Sequence, residues 1–225
     1  MNQHNITSNT KLCGIIGNPI EHTLSPLIHN AAFGHLKLDY VFLAFKVACL
    51  KEAVDGIRAL DLKGVSVTIP HKVAVLDYLD EVEEVAGKIG AVNTIINRDG
   101  RLIGYNTDWS GAIEALEEKI SLKGKTALVL GAGGAARAIA FGLKERGAGL
   151  TVLNRTVKKA EMLASEIGCS HGGLEDAASA TFDMIINTTS VGMFPHQDGT
   201  PIRKECLGDA LVFDMVYNPL KTRLI

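Results

Sequence analysis

One feature narrows the possible folds of this chain more than any other: a small-residue turn set between two regular elements. Leu128-Val-Leu-Gly131-Ala-Gly133-Gly-Ala-Ala136-Arg137 follows the pattern GxGxxA. The apolar run Thr126–Leu130 before it reads as a strand, and Ala135–Arg146 after it as a helix. Each small residue has a mechanical use. Gly131 makes the tight turn, Gly133 lets backbone approach a pyrophosphate, and Ala136 lets the helix lie close on the sheet. The N–H groups at the helix start then face the phosphates. A glycine-rich strand-to-helix turn with no ligand also fits these residues. In a dinucleotide site that uses NAD, an acidic residue about 20 residues further on would hold the ribose. This chain has Asn154-Arg155-Thr156 there, with Lys158 and Lys159 behind. A carboxylate would repel a 2′-phosphate, whereas a guanidinium grips one through paired donors. The segment therefore reads as NADP-selective, or else as an exposed basic turn.

Strand-like and helix-like runs alternate through the whole chain, so the fold class is α/β. Strands are expected at Leu12–Ile16, Tyr40–Phe45, Gly64–Ile69, Ala91–Arg98 and Arg101–Asn106, and helices at Ser25–Leu36, Leu50–Leu60, Lys72–Tyr78, Val82–Gly87 and Thr107–Lys119. Ser25 is the expected N-cap of its helix, with Pro26 at the first helical position. Asp99-Gly100 is a hairpin turn signal. A polar hinge at Lys119–Lys125 leads into a βαβαβ run with further strands at Leu150–Leu153, Met184–Asn187 and Leu211–Asp214 and a helix at Val157–Gly168. Two domains are expected, residues 1–110 and 111–225.

Composition removes several alternatives. The 225 residues carry a formal charge of −2, which gives nucleic acid no basic face to bind. Hydrophobic residues at 47% and charged residues at 21% argue against long disorder. There is no apolar run of roughly 18 residues to cross a membrane, and Met1–Lys11 is too polar for a signal peptide and is expected as a frayed lead-in. The four cysteines form no CxxC and the histidines no HExxH, so no metal is expected. Cys13 and Cys49 sit in apolar runs and are expected as reduced core residues in a cytoplasmic protein. The expected partner is a small molecule, and the expected state is a monomer or homodimer.

Four polar clusters interrupt the apolar runs of the first half. Glu21-His-Thr23-Leu-Ser25 offers two hydroxyls before a helix. Ser66-Val-Thr68-Ile-Pro-His71-Lys72 puts two hydroxyls on one strand face and an ammonium at the strand end. Gly90-Ala-Val-Asn93-Thr94 supplies an amide, and Gly104-Tyr-Asn106-Thr107-Asp108 a carboxylate at a helix start. Together they suit a small polyhydroxylated acid. Taken singly, each has a plainer use: Ser25 and Asp108 as helix caps, Thr68 as strand filler, Lys72 as a solvated strand end, Asn93 as a turn residue.

Eight segments in order, from Gly14-Ile-Ile-Gly-Asn-Pro-Ile-Glu-His-Thr-Leu-Ser-Pro through Val67-Thr-Ile-Pro-His-Lys72, Gly90-Ala-Val-Asn-Thr94, Gly104-Tyr-Asn-Thr-Asp108, the glycine turn, Asn154-Arg-Thr156 and Asn187-Thr-Thr-Ser-Val-Gly-Met193 to Asp214-Met-Val-Tyr-Asn-Pro219, resemble the shikimate dehydrogenases. The resemblance implies an N-terminal α/β substrate domain followed by a Rossmann-type NADP domain. It also implies a site in the cleft between them and reduction of 3-dehydroshikimate to shikimate with NADPH, on the route to chorismate and the aromatic amino acids. The family's paired lysine and aspartate fall on Lys72 and Asp108, and its substrate contacts on Thr23, Ser25, Thr68, Asn93 and Tyr217. Its cofactor contacts fall on Gly131, Ala132, Gly133, Gly134, Ala135, Asn154, Arg155, Thr156, Lys158, Lys159 and Met215, with Thr188, Ser190 and Met193 on the nicotinamide side.

The chain departs from the pattern at three places. Thr23 stands where serine is commoner, which bears on shikimate against quinate, and Ser66 where many relatives have asparagine. The chain also ends at Lys221-Thr-Arg-Leu-Ile225, before the glycine and glutamine that the family carries further on, so the second domain is expected to be incomplete. In the implied reaction the developing alkoxide needs positive charge and a proton, and the Lys72 ammonium would supply both while Asp108 held it. His71 next to it would point away. Three other readings remain at this level: a quinate/shikimate dehydrogenase of broader specificity, a binding remnant without catalysis, and one domain of a multifunctional pathway protein.

Overall fold

A computed structural model describes residues 6–225. Of the expected lead-in, residues 1–5 lie outside the described residues, and Lys11 already begins the first strand. The chain divides into two compact units between Thr107 and Asp108.

The first unit holds β1 (Lys11–Gly17), β2 (Tyr40–Lys46), β3 (Gly64–Val67), β4 (Glu81–Val82), β5 (Thr94–Arg98) and β6 (Arg101–Tyr105), with helices α1 (Ser25–His35), α2 (Leu50–Ala59) and α3 (Glu84–Ile89). The sheet order is β2-β1-β3-β5-β6-β4. β1 runs parallel to β2 and β3, β5 antiparallel to β3 and β6, and β4 parallel to β6. Apolar residues three apart, Val54 and Ile57, give α2 its inward face. They pack with Ile16, Val65, Val67, Ile95 and Leu102 into one core. The β5–β6 turn has φ of +52° at Asp99 and +89° at Gly100, the left-handed pair such a hairpin requires.

Several local expectations change. The helix expected over Val82–Gly87 splits, because Val82 joins the ladder beside Gly104 and the Glu83 carboxylate accepts from Val85 N and Ala86 N, starting α3 one residue later. Lys72–Tyr78 contributes only a 3-10 turn, Ala74–Tyr78. The N-cap of α1 is Leu24 rather than Ser25, whose hydroxyl is engaged by Thr23. Cys13 is buried as expected, but Cys49 is exposed at the start of α2 and is not a core residue.

The second unit holds β7 (Thr126–Leu130), β8 (Gly149–Leu153), β9 (Ser170–Gly172), β10 (Met184–Asn187) and β11 (Leu211–Asp214), with α4 (Asp108–Glu117), α5 (Gly134–Glu145) and α6 (Val157–Ile167). All five strands are parallel, in the order β11-β10-β7-β8-β9. Such a sheet is covered on both faces, so its central strands are apolar throughout. β7 and β10 accordingly bury Ala127–Leu130 and Met184–Asn187. Ile139 and Leu143 of α5 and Ile113 and Leu116 of α4 fill one side. A Cβ at Gly142 would overlap Ile113, so α4 and α5 touch through a residue with no side chain.

Candidate active site and cofactor cradle

In the first unit the strand directions decide which loops share an edge. β1 and β3 end together, since Ile16 pairs with Val67. β5 starts at that edge with Thr94 opposite Ser66, and β6 ends there with Tyr105 opposite Thr94. Ligand loops in open α/β sheets gather at the carboxyl ends of strands. This edge carries Thr23 and Ser25 after β1, Thr68 and Lys72 after β3, Asn93 before β5 and Thr107 after β6. Backbone bonds stitch these loops together: Thr68 N to Ile16 O at 3.0 Å, Asn18 N to Ile69 O at 2.9 Å, Val67 N to Asn93 O at 2.7 Å, and Val92 N to Lys72 O at 2.8 Å. Thr68 lies just past the strand rather than in it, because the chain turns there to give His71 N to Thr68 O at 2.9 Å.

The side chains at this edge are held by one another. Thr23 Oγ1 donates to Ser25 Oγ at 3.1 Å and accepts from Ser25 N at 3.2 Å. Asn93 Oδ1 accepts from Thr94 Oγ1 at 2.9 Å and from Thr107 N at 3.0 Å, while its Nδ2 donates to Thr107 Oγ1 at 2.9 Å. Glu21, bonded to Lys46 at 2.8 Å and to Ile20 N, has its carboxyl pulled down to about 2, first by the Lys46 ammonium. His71 turns its ring inward. It is buried, with Nε2 against Val47 O at 3.1 Å. A hydroxyl pair, an amide, a further threonine and an ammonium thus line one sheet edge, the groups that bind hydroxyls and a carboxylate.

Asp108 and Tyr217 are not part of that unit. Asp108 is the first residue of α4, where its charge complements the helix dipole. Tyr217 is about half exposed beyond β11.

In the second unit β7 and β10 are neighbours although β8 and β9 intervene in sequence, so the crossover direction reverses between them. This is the crevice where dinucleotides sit on such sheets. Gly131 occupies it with φ +113°, and a Cβ there would lie 2.5 Å from Thr188 Oγ1. That hydroxyl is fixed by donating to Leu130 O at 2.7 Å. Helix α5 begins at Gly134, one residue earlier than expected; Gly133 is its N-cap, with no side chain closing its N–H groups. A Cβ at Gly133 would meet nothing within 4 Å, so this face is open. Ala136 is wholly buried, as a close helix-to-sheet packing needs. At the end of β8, Asn154 Nδ2 donates to Thr156 O at 3.0 Å, shaping the turn. Arg155, Thr156, Lys158 and Lys159 are exposed. Among the described residues none of these three cations enters an ion pair.

Two residues that sequence reasoning left out organise the next loops. Asn187, fully buried, and Asp214 end adjacent strands and pair in register. Asn187 Nδ2 donates to Asp214 Oδ1 at 2.9 Å, and its Oδ1 accepts from Thr189 N at 3.0 Å and Thr189 Oγ1 at 2.7 Å. The signal was a polar residue closing each of two apolar strands. Ser190 is exposed and Met193 half-buried in the loop that follows β10. Met215 N bonds Asn187 O at 3.0 Å while its side chain leans on the core.

A family model described as the shikimate dehydrogenase substrate binding domain matches residues 15–95, and one described as shikimate / quinate 5-dehydrogenase matches residues 114–194. The NADP(+) shikimate dehydrogenase of Methanothermobacter thermautotrophicus is 48% identical over 98% of this chain and 82% of its own length. The chain belongs to the shikimate dehydrogenase family. The shikimate dehydrogenase of Geobacillus kaustophilus is 50% identical over 95% of this chain and 81% of its own. A crystal structure of a shikimate dehydrogenase in complex with NADP+ superposes with a TM-score of 0.90 at 46% identity, covering 98% of this chain and 81% of that one. The Thermus thermophilus shikimate 5-dehydrogenase, in complex with NADP(H) and shikimate, has a TM-score of 0.84 at 40% identity, covering 95% and 81%. As in other shikimate dehydrogenases, an N-terminal substrate-binding unit precedes a Rossmann-like unit. The residues of the latter fit NADP: a glycine cradle that a Cβ would fill, an uncapped helix start, and a basic turn with no carboxylate from Asn154 to Lys159. Among the described residues no helix is long and apolar enough to cross a membrane.

Proposed function

We propose that this member of the shikimate dehydrogenase family reduces 3-dehydroshikimate to shikimate with NADPH. It is an NADP-dependent oxidoreductase. The observation that carries the reading is the pairing of two half-sites in one chain: an edge of hydroxyl, amide and ammonium groups in the unit that matches the substrate-binding model, and the Gly131 cradle with its carboxylate-free basic turn in the other. Bound NADPH supplies the hydride for the ketone carbon. The chain's own residues do the rest. Gly131, Ala132, Gly133, Gly134 and Ala135 seat the pyrophosphate on the α5 N-terminus. Asn154, Arg155, Thr156, Lys158 and Lys159 hold the 2′-phosphate, with Arg155 offering paired donors. Thr188, Ser190, Met193 and Met215 flank the nicotinamide end. Thr23, Ser25, Thr68, Asn93 and Tyr217 hold the substrate. Lys72 places an ammonium where the alkoxide develops and gives it a proton, and Asp108, at the start of α4, is the second catalytic residue. A cytoplasmic location is the reading that four free cysteines support.

The description of the second matching model includes quinate. Thr23 adds a methyl beside the hydroxyl pair at the substrate edge, so selectivity is part of the test. Initial rates of NADP+ reduction are measured with shikimate and with quinate, and repeated with NAD+. Shikimate with NADP+ is expected to give the highest specificity constant. A higher value for quinate, or equal values for NAD+ and NADP+, overturns the assignment it addresses.

A further inference from the structure

The loops after β10 and β11 are joined by one polar network rather than by separate turns. Asn187 Nδ2 donates to Asp214 Oδ1 at 2.9 Å and to Val191 O at 3.3 Å. Asp214 Oδ1 also accepts from Val216 N at 2.9 Å, and Oδ2 from Thr222 Oγ1 at 2.6 Å. Backbone bonds from Met215 N to Asn187 O at 3.0 Å and from Phe194 N to Asn218 O at 2.9 Å run beside it. The amide orientation is forced. Thr189 N is an obligate donor, so it faces Oδ1 of Asn187, and the nitrogen must then face the carboxylate. Asn187 is fully buried and Thr222 nearly so, while Asp214 between them is half-buried, so these bonds are partly shielded from water.

We propose that Asn187 and Asp214, with Thr222 bracing the carboxylate, are positioning residues. They hold the Thr188–Met193 and Met215–Tyr217 segments in the one arrangement that receives the nicotinamide ring. The inference rests on the reading that these segments flank that ring. It adds that their shape is set from beneath, by a carboxylate–amide pair that touches neither cofactor nor substrate. A nicotinamide displaced by about 1 Å is enough to slow transfer by about 100-fold.

Asp214→Asn removes the carboxylate oxygen that Thr222 needs or that Asn187 needs. Thr222→Val removes one donor at nearly constant volume and is the milder variant should the first fail to fold. Thr222→Ser restores the hydroxyl. For each, kcat and KM for NADP+ with shikimate, the unfolding temperature, and competition by adenosine 2′,5′-bisphosphate are measured. That probe carries the adenosine and 2′-phosphate end of the cofactor and lacks nicotinamide. The expected result is a fall in kcat of about 10- to 100-fold for Asp214→Asn and a smaller fall for Thr222→Val, with the inhibition constant of the probe within about twofold of wild type and recovery in Thr222→Ser. A lowered unfolding temperature with unchanged kcat and KM shows a purely structural network and overturns the proposal. Failure of the probe to compete in the wild type instead overturns the cofactor reading beneath it.

Discussion

Asn93 grips Thr107 with both ends of its amide: Oδ1 accepts from the Thr107 main-chain N at 3.0 Å and Nδ2 donates to Thr107 Oγ1 at 2.9 Å. The pair bridges the start of β5 and the end of β6, the two strand ends that close the proposed substrate edge. Thr107→Val leaves the main-chain bond and removes the hydroxyl. A neutral hydrogen bond contributes about 0.5–1.5 kcal/mol, so the KM for shikimate is expected to rise by about 2- to 10-fold while that for NADP+ stays put. Steady-state kinetics varying each substrate in turn check the split.

Lys72 is the proposed proton donor. Removing a positioned acid–base group lowers rates by about 10²- to 10⁴-fold. Lys72→Met keeps most of the side-chain volume and loses the charge. Its kcat is expected to fall by that amount, with the unfolding temperature close to wild type. Turnover equal to wild type would remove Lys72 from the mechanism.

Arg155 is exposed, and among the described residues no carboxylate pairs with it. A charge-assisted hydrogen bond is worth about 1.5–3 kcal/mol, or roughly 10- to 100-fold in affinity. Arg155→Asp is expected to weaken NADPH by at least that factor and to leave NADH nearly unchanged, as titrations of cofactor fluorescence would show. Equal loss for both cofactors contradicts recognition of the 2′-phosphate.

Gly131→Ala combines a left-handed φ of +113° with a Cβ placed 2.5 Å from Thr188 Oγ1. Strain of this kind costs about 1–3 kcal/mol, and relief requires Thr188 to leave Leu130 O. The variant is expected to unfold at lower temperature and to bind NADP+ more weakly, measured by thermal unfolding with and without cofactor.

Much of this was legible in advance, and the reason is burial. β7, β10 and β11 fall where continuous apolar runs put them, because a parallel sheet covered on both faces leaves no polar alternation to blur the ends. β9 was not read, since Ser170-His-Gly172 is a three-residue edge strand held by β8 alone. The split at Glu83 turns on a side chain capping its own helix, and Cys49 on a loop turning outward; neither leaves a periodic trace. At the site, residues that announce themselves by type beside glycine or proline were legible one by one. The Asn187–Asp214 pair was not, because it exists only once the register of two strands separated by a long loop is known.

Acid stability has a definite sign. The Asp183 carboxyl is held down to about 2, first by its bond to Lys125 and then by Thr126 N and Thr126 Oγ1. A carboxyl lowered in the folded state adds stability above the ordinary unfolded value of about 3.9, and that contribution is lost as pH falls through about 2. The unfolding temperature of Asp183→Asn is therefore expected to lie below wild type at neutral pH, and the gap to close between about pH 4 and pH 2. A gap that widens on acidification contradicts the assignment.

Adding 3-dehydroshikimate to the chain with NADPH puts the proposed reaction to the test. The expected result is loss of NADPH absorbance matched mole for mole by shikimate. Binding of both ligands with no NADPH consumed would contradict it and leave a protein that holds the two reactants without joining them.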